Sequence, residues 1–133
     1  MSRNETMTKW AIKGRRPKFP DEAWVKKQVK DQLKLVKEKV GLWYYMPNGG
    51  YYSKSGIPDF EGILCSLGFG IETKDSDGVW SQAQQDVMDD MVEAGGCYIL
   101  VDEDGLFKLW ETLWLSNSLL EGKFFDLRGA DKK

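Results

Sequence analysis

The sequence predicts a single α/β domain, a mixed β-sheet flanked by helices, and three observations carry that expectation. Val25, Val29, Leu33, Val36 and Val40 recur at steps of four, four, three and four residues, the apolar stripe of an amphipathic helix. Short aromatic and β-branched runs follow between Leu42 and Thr73, separated by Gly-, Pro- and Ser-rich turns. A second helical stretch opening at Ser81 then separates the apolar run that ends in Glu72-Thr73-Lys74 from the one that starts at Cys97. Strand, helix, strand in that order predicts a right-handed parallel crossover.

In chain order, residues 1–20 read as a flexible basic arm, with Arg15-Arg16-Pro17 and Pro20 delaying any helix and Trp10 and Phe19 as its anchors. Asp21 suits an N-cap, Glu22 falls in the first helical turn, and Gly41 suits the C-cap. Glu22 lies three residues before Val25 and so shares the inward stripe, either complementing the helix dipole or pointing into a site. Leu42 to Met46 is an aromatic-rich extended run, and Pro47-Asn48-Gly49-Gly50 turns the chain toward Tyr51 and Tyr52, as a hairpin or a loose loop between extended segments. Tyr44, Tyr45, Tyr51 and Tyr52 either fill the core or stack on nucleic-acid bases. Asp59–Leu64 and Phe69–Thr73 read as strands around a Ser66-Leu67-Gly68 turn, and Gly56 marks a backbone conformation that other residues resist. Ser81 with Gln84 has the spacing of a capping box, Val87, Met88 and Met91 supply the buried helix face, and Gly95-Gly96 ends the helix. Cys97–Val101 reads as a buried strand, with Leu106–Trp110 returning as its hairpin partner across Asp102-Glu103-Asp104-Gly105. Leu113–Leu120 reads as a short helix, and 128–133 as a frayed tail, leaving 21–127 as the domain.

A chain of 133 residues, 41% hydrophobic and 13% aromatic, is long and apolar enough for one proper core. No apolar run reaches the roughly 20 residues of a membrane span, and no apolar leader opens the chain, so the expected location is intracellular and cytoplasmic. Cys65 and Cys97 have no CxxC partner and read as buried thiols in a reducing compartment. Histidine is absent altogether, which excludes Ser-His-Asp and Cys-His nucleophiles and His-containing zinc sites. Acid–base or metal chemistry must therefore use carboxylates, lysines, tyrosines or backbone oxygens, a donor set suited to Mg2+ or Mn2+. Net charge is only −2, but residues 1–40 hold twelve Lys and Arg against five Asp and Glu, and the remainder holds seven against sixteen. That asymmetry fits a basic arm and helix that track phosphates, or a solvated lysine face.

The chemistry concentrates between Gly56 and Lys74. Asp59 follows a Gly-Ile-Pro turn, and thirteen residues later an apolar strand ends in Glu72-Thr73-Lys74. Alternation puts Ile71 and Thr73 on one strand face and Glu72 and Lys74 on the other. Two carboxylates, Asp59 and Glu72, with the Thr73 carbonyl, can hold a divalent cation for phosphodiester hydrolysis. Lys74 is placed to orient or deprotonate water, or to stabilise the transition state; an ordinary lysine, charged at neutral pH, favours the last. Taken alone, Glu72 and Lys74 also read as an exposed ion pair and Gln84 as a cap.

Gly56-Ile57-Pro58-Asp59, Glu72-Thr73-Lys74 and Ser81-Gln82-Ala83-Gln84, preceded by Glu22 early in the first helix, resemble the PD-(D/E)xK nuclease superfamily, and within it the virus-type replication-repair nuclease (VRR-NUC) domain. The likeness covers roughly residues 21–102. It implies a restriction-endonuclease-like fold and an Mg2+- or Mn2+-dependent deoxyribonuclease, viral or cellular, in DNA replication, repair or recombination. It further implies a homodimer with a preference for branched or junction DNA. Catalytic roles fall to Asp59, Glu72, Lys74 and Gln84, and metal ligation to Asp59, Glu72, the Thr73 carbonyl and Glu22, the last directly or through water. Two rival readings stand beside it: a nucleic-acid-binding protein of the same fold that does not cut, and an interaction module presenting Trp110 and Trp114.

Overall fold

The computed structural model describes residues 15–47 and 54–133. Helix α1 (Glu22–Lys37) begins where the sequence places it, with the Asp21 carboxylate accepting from Trp24 N at 2.8 Å. It ends at Lys37 with Glu38 as C-cap, one turn short of Gly41, and residues 39–41 carry the chain into the sheet. Five strands follow: β1 (Leu42–Tyr45), β2 (Phe60–Leu64), β3 (Leu67–Thr73), β4 (Cys97–Val101) and β5 (Phe124–Asp126). Helix α2 (Gln82–Glu93) links β3 to β4; α3 (Leu106–Leu113) and α4 (Asn117–Leu120) link β4 to β5.

The sheet runs β1-β2-β3-β4-β5, antiparallel through β1–β3 and parallel through β3–β5. The expected parallel pairing of β3 with β4 across α2 is present, and the architecture is a mixed α/β sheet flanked by helices. One sheet face carries Leu42, Phe60, Leu64, Phe69, Ile71, Cys97, Ile99 and Val101. It buries them against Val25, Val29, Leu33 and Val36 of α1 and Leu106, Leu109, Trp110 and Leu113 of α3. Helix α2 lies on the other face: a Cβ at Gly70 would stand 2.9 Å from the Met91 side chain. Trp80, just before α2, packs there with Tyr98 and Phe124. Only Val87 of α2 is fully buried, Met88 and Met91 being half-buried.

Several expectations are corrected. Leu106–Trp110 is not a returning strand but the start of α3, because Leu106, Leu109, Trp110 and Leu113 recur at helical spacing and all face the core. The helix expected over Leu113–Leu120 is mainly α3 ending and the single turn of α4. The sheet is completed by β5, which the sequence reading did not foresee. The 128–133 tail ends in a 3-10 turn, Ala130–Lys132, and Asp131 accepts from the Phe107 and Lys108 amides at the start of α3, both at 3.0 Å. The β2–β3 turn is centred on Cys65 and Ser66, whose φ values of 48° and 74° are those a two-residue type I′ hairpin demands. Leu67 and Gly68 therefore belong to β3, and Cys65 is exposed rather than buried. Phe19 is 84% exposed and anchors nothing. Trp110 is buried in the core and so is not presented at the surface, while Trp114 is half-buried and packs against it. Trp10, residues 48–50, Tyr51 and Tyr52 lie outside the described residues. No helix among the described residues is long and apolar enough to cross a membrane.

Candidate carboxylate–lysine site

The site forms where β2 begins and β3 ends. Gly56 has φ +85°, and a Cβ there would lie 2.3 Å from the Ala83 carbonyl, so the loop carrying Pro58 and Asp59 is pressed onto the first turn of α2. Pro58 is buried beside Gly70. Asp59 is then delivered one residue before the pair Phe60–Ile71, abreast of Glu72. Its Oδ2 accepts from the Thr73 amide at 2.9 Å and from the Thr73 hydroxyl at 2.6 Å. Lys26 Nζ of α1 stands 3.3 Å from Oδ1.

Glu72, only 2% exposed, reaches toward α2, where Gln84 Nε2 donates to its Oε2 at 3.2 Å. The other end of that amide accepts from the Ser81 amide at 2.9 Å, and Ser81 Oγ accepts from the Gln84 amide at 3.2 Å. Gln84 thus closes the capping box and touches Glu72 with the same side chain. Lys74 is 12% exposed, under the turn that ends at Gly78, with Nζ 3.8 Å from Glu22 Oε1. Glu22 is half-exposed and meets the cluster through Lys74.

Two carboxylates this close cannot both stay charged cheaply. Burial, the Asp59 charge and the hydrogen bond to Asp59 push Glu72 up to about 9, against a weaker pull from Lys74. Burial works against the Asp59 charge too. The donations from Thr73, the proton shared with Glu72 and the Lys26 ammonium outweigh it and hold Asp59 below the usual range. The two carboxyls are thus pushed in opposite directions, Glu72 up and Asp59 down.

The structure thus brings Asp59, Glu72, Thr73, Lys74 and Gln84 into one cluster, with Glu22 at its rim. Among the described residues, no group of three or more Cys, Asp or Glu side chains is arranged to hold a metal ion. The donor chemistry nonetheless fits a hard divalent cation: oxygen only, with a carboxylate pair whose mutual repulsion is relieved here by one proton. The sequence reading missed Lys26. Its signal was the four-residue step from Glu22, which puts both on one side of α1. Tyr44 packs partly into the core, while Tyr45 is exposed beside Trp43, ring centroids 5.4 Å apart. Those exposed rings line a groove of about 570 Å3 with Gly68 and Met91. Glu72 lies four residues beyond Gly68 on β3, roughly 13 Å along the strand.

No protein-family model, curated protein or solved structure matches the chain.

Proposed function

We propose that the protein is an Mg2+- or Mn2+-dependent phosphodiesterase acting on DNA, of the PD-(D/E)xK type and restriction-endonuclease-like in fold. The observation that carries the reading is the placement of Asp59 abreast of the buried Glu72 at the end of β3, each carboxylate held by its own donor, with the nearly buried Lys74 two residues on. A bound divalent cation supplies charge neutralisation at the phosphate and an acidified water. Asp59 Oδ1, Glu72 and the Thr73 carbonyl are the oxygens that would hold it. Thr73 fixes Asp59 by two hydrogen bonds, and Gln84 fixes Glu72. Lys74 places a nearly buried positive charge where the pentavalent phosphorane accumulates negative charge. Glu22 holds the Lys74 ammonium from the outer side. Branched or junction DNA as the preferred substrate, a homodimeric state, an intracellular and viral or cellular setting, and a role in replication or repair belong to this reading by likeness alone.

The test is a panel of labelled duplex, single-stranded, flap and four-way DNA incubated with Mg2+, Mn2+ or EDTA, beside Asp59→Asn. In that variant one carbonyl oxygen still receives both Thr73 donors. Cleavage that needs the cation and disappears in Asp59→Asn, with DNA binding kept, is the expected result. Undiminished cleavage by the variant refutes the assignment. A second reading rests on one observation: the Lys26 ammonium already covers Asp59 Oδ1, at 3.3 Å. A non-cutting nucleic-acid-binding protein would look like this, and would show salt-sensitive binding without cation-dependent cleavage on any substrate.

A further inference from the structure

Each oxygen of Asp59 has its own occupant. Oδ2 is committed to Thr73, whose amide and hydroxyl are both fixed by a buried strand end. Oδ1 has the Lys26 ammonium at 3.3 Å, a partner carried on a flexible side chain. The two lysines of the cluster differ in freedom. Lys74 is 12% exposed and packed under a turn, whereas Lys26 is 36% exposed at the flank of α1. A lysine there can swing its ammonium into water by stem rotation alone. Lys26 also begins a row: Lys30, Lys34 and Lys37 follow at steps of four, four and three on the same side of the helix, all exposed.

We infer that Lys26 is an exchangeable occupant of Asp59: its ammonium covers Oδ1 in the cation-free protein, yields that oxygen to a divalent cation, and then joins the α1 lysine row in holding a nucleic-acid phosphate. This rests on the nuclease reading and adds to it a coupling. Cation binding frees one phosphate-neutralising charge, so cation and DNA strengthen each other's binding by the same factor. Lys26 is a positioning residue here, acting on the site through Asp59.

The test compares wild type, Lys26→Met and Lys26→Arg, with thermal melts to confirm folding. Calorimetric titration with Mn2+ and with Ca2+ reads the exchange. Fluorescence anisotropy on a labelled duplex, in EDTA and in Ca2+, reads the phosphate contact. Lys26→Met is expected to bind either cation about two- to fivefold more tightly than wild type, the range of one part-exposed ion pair, and Lys26→Arg to stay near wild type. The gain in DNA affinity that Ca2+ gives wild type is expected to shrink by about two- to fivefold in Lys26→Met. The salt slope measured in Ca2+ should fall by about one. Unchanged cation affinity in Lys26→Met overturns the exchange and leaves the nuclease reading intact. An equal Ca2+-dependent gain in both proteins overturns the transfer to phosphate. A wild type that binds neither cation overturns this inference and the nuclease reading together. Tighter cation binding by Lys26→Met, in a protein that cuts no DNA, sustains the exchange and removes the nuclease reading.

Discussion

Glu72 is buried on a strand end with a neighbouring carboxylate, and its proton makes stability depend on pH. Its folded value of about 9 lies above the ordinary 4.5, so between those values the folded chain binds a proton that the unfolded chain releases. Stability without cation therefore falls as pH rises through that window. Asp59 acts oppositely: held below its ordinary 3.8, it contributes stability above that value, lost as pH falls through its folded value. Glu72→Gln keeps the shape and a donor toward Asp59 without the titration. In EDTA it should flatten the decline above pH 5 and gain about 1 kcal/mol or more at pH 8, since a tenfold difference in proton affinity between folded and unfolded chain is worth about 1.4 kcal/mol. Urea melts of both proteins at pH 5 and 8 check this, and parallel declines would remove the shared proton. Lys74→Met removes the charge proposed for the transition state while leaving Asp59 and Glu72 in place. Turnover should drop by at least about tenfold with Mn2+ affinity changed far less, read from single-turnover rates beside calorimetry. An unchanged rate would strip Lys74 of its role.

At the level of elements, α2 is tied to the site by its own first turn. Ser81→Ala and Gln84→Ala each break the capping box and should each cost about 1 kcal/mol of stability by chemical denaturation. Only Gln84→Ala also removes the donor to Glu72, so only that variant should shift the pH dependence of cation binding. Equal profiles in the two would reduce Gln84 to a cap. These local devices were legible in the sequence because they act over three or four residues: the Asp21 cap, the α1 stripe, Ser81 with Gln84, and the Gly95 stop. The order of Asp59, Glu72 and Lys74 was legible as well. Helix α3 was not, because the window Leu106–Trp110 is too short to separate a period of two from one of 3.6; extending it to Leu113 reveals the helical recurrence. Strand β5 has three residues and no periodicity to read. Lys26 was hidden for a different reason. The four-residue step from Glu22 places it on the right side of α1, but its meeting with Asp59 depends on how α1 packs on the sheet, which no local pattern encodes.

Across the whole molecule, the turn after β4 gathers distant parts of the chain. Asp102, Glu103 and Asp104 are all buried, although they look like an exposed acidic turn. Asp102 accepts from the Asp104 and Gly129 amides, at 2.9 Å and 3.0 Å. Asp104 receives Arg16 at 2.8 Å and Lys132 at 3.0 Å. Burial opposes the Asp104 charge, but those two cations outweigh it and hold its carboxyl below the usual range. Asp104→Ala strands neither cation, because Arg16 is 38% and Lys132 72% exposed. The global loss should therefore be only about 1 kcal/mol by urea titration. Hydrogen exchange should speed up selectively around residues 16–20 and 128–133; a uniform change would show that Asp104 does not hold these segments. The same carboxylate also sets how the molecule would bear a mechanical load. Force applied between residues 16 and 132 meets two ion pairs on one side chain before it reaches any strand pairing. Stretched from these points, the protein would first lengthen by releasing its outer segments, and only afterwards shear its sheet.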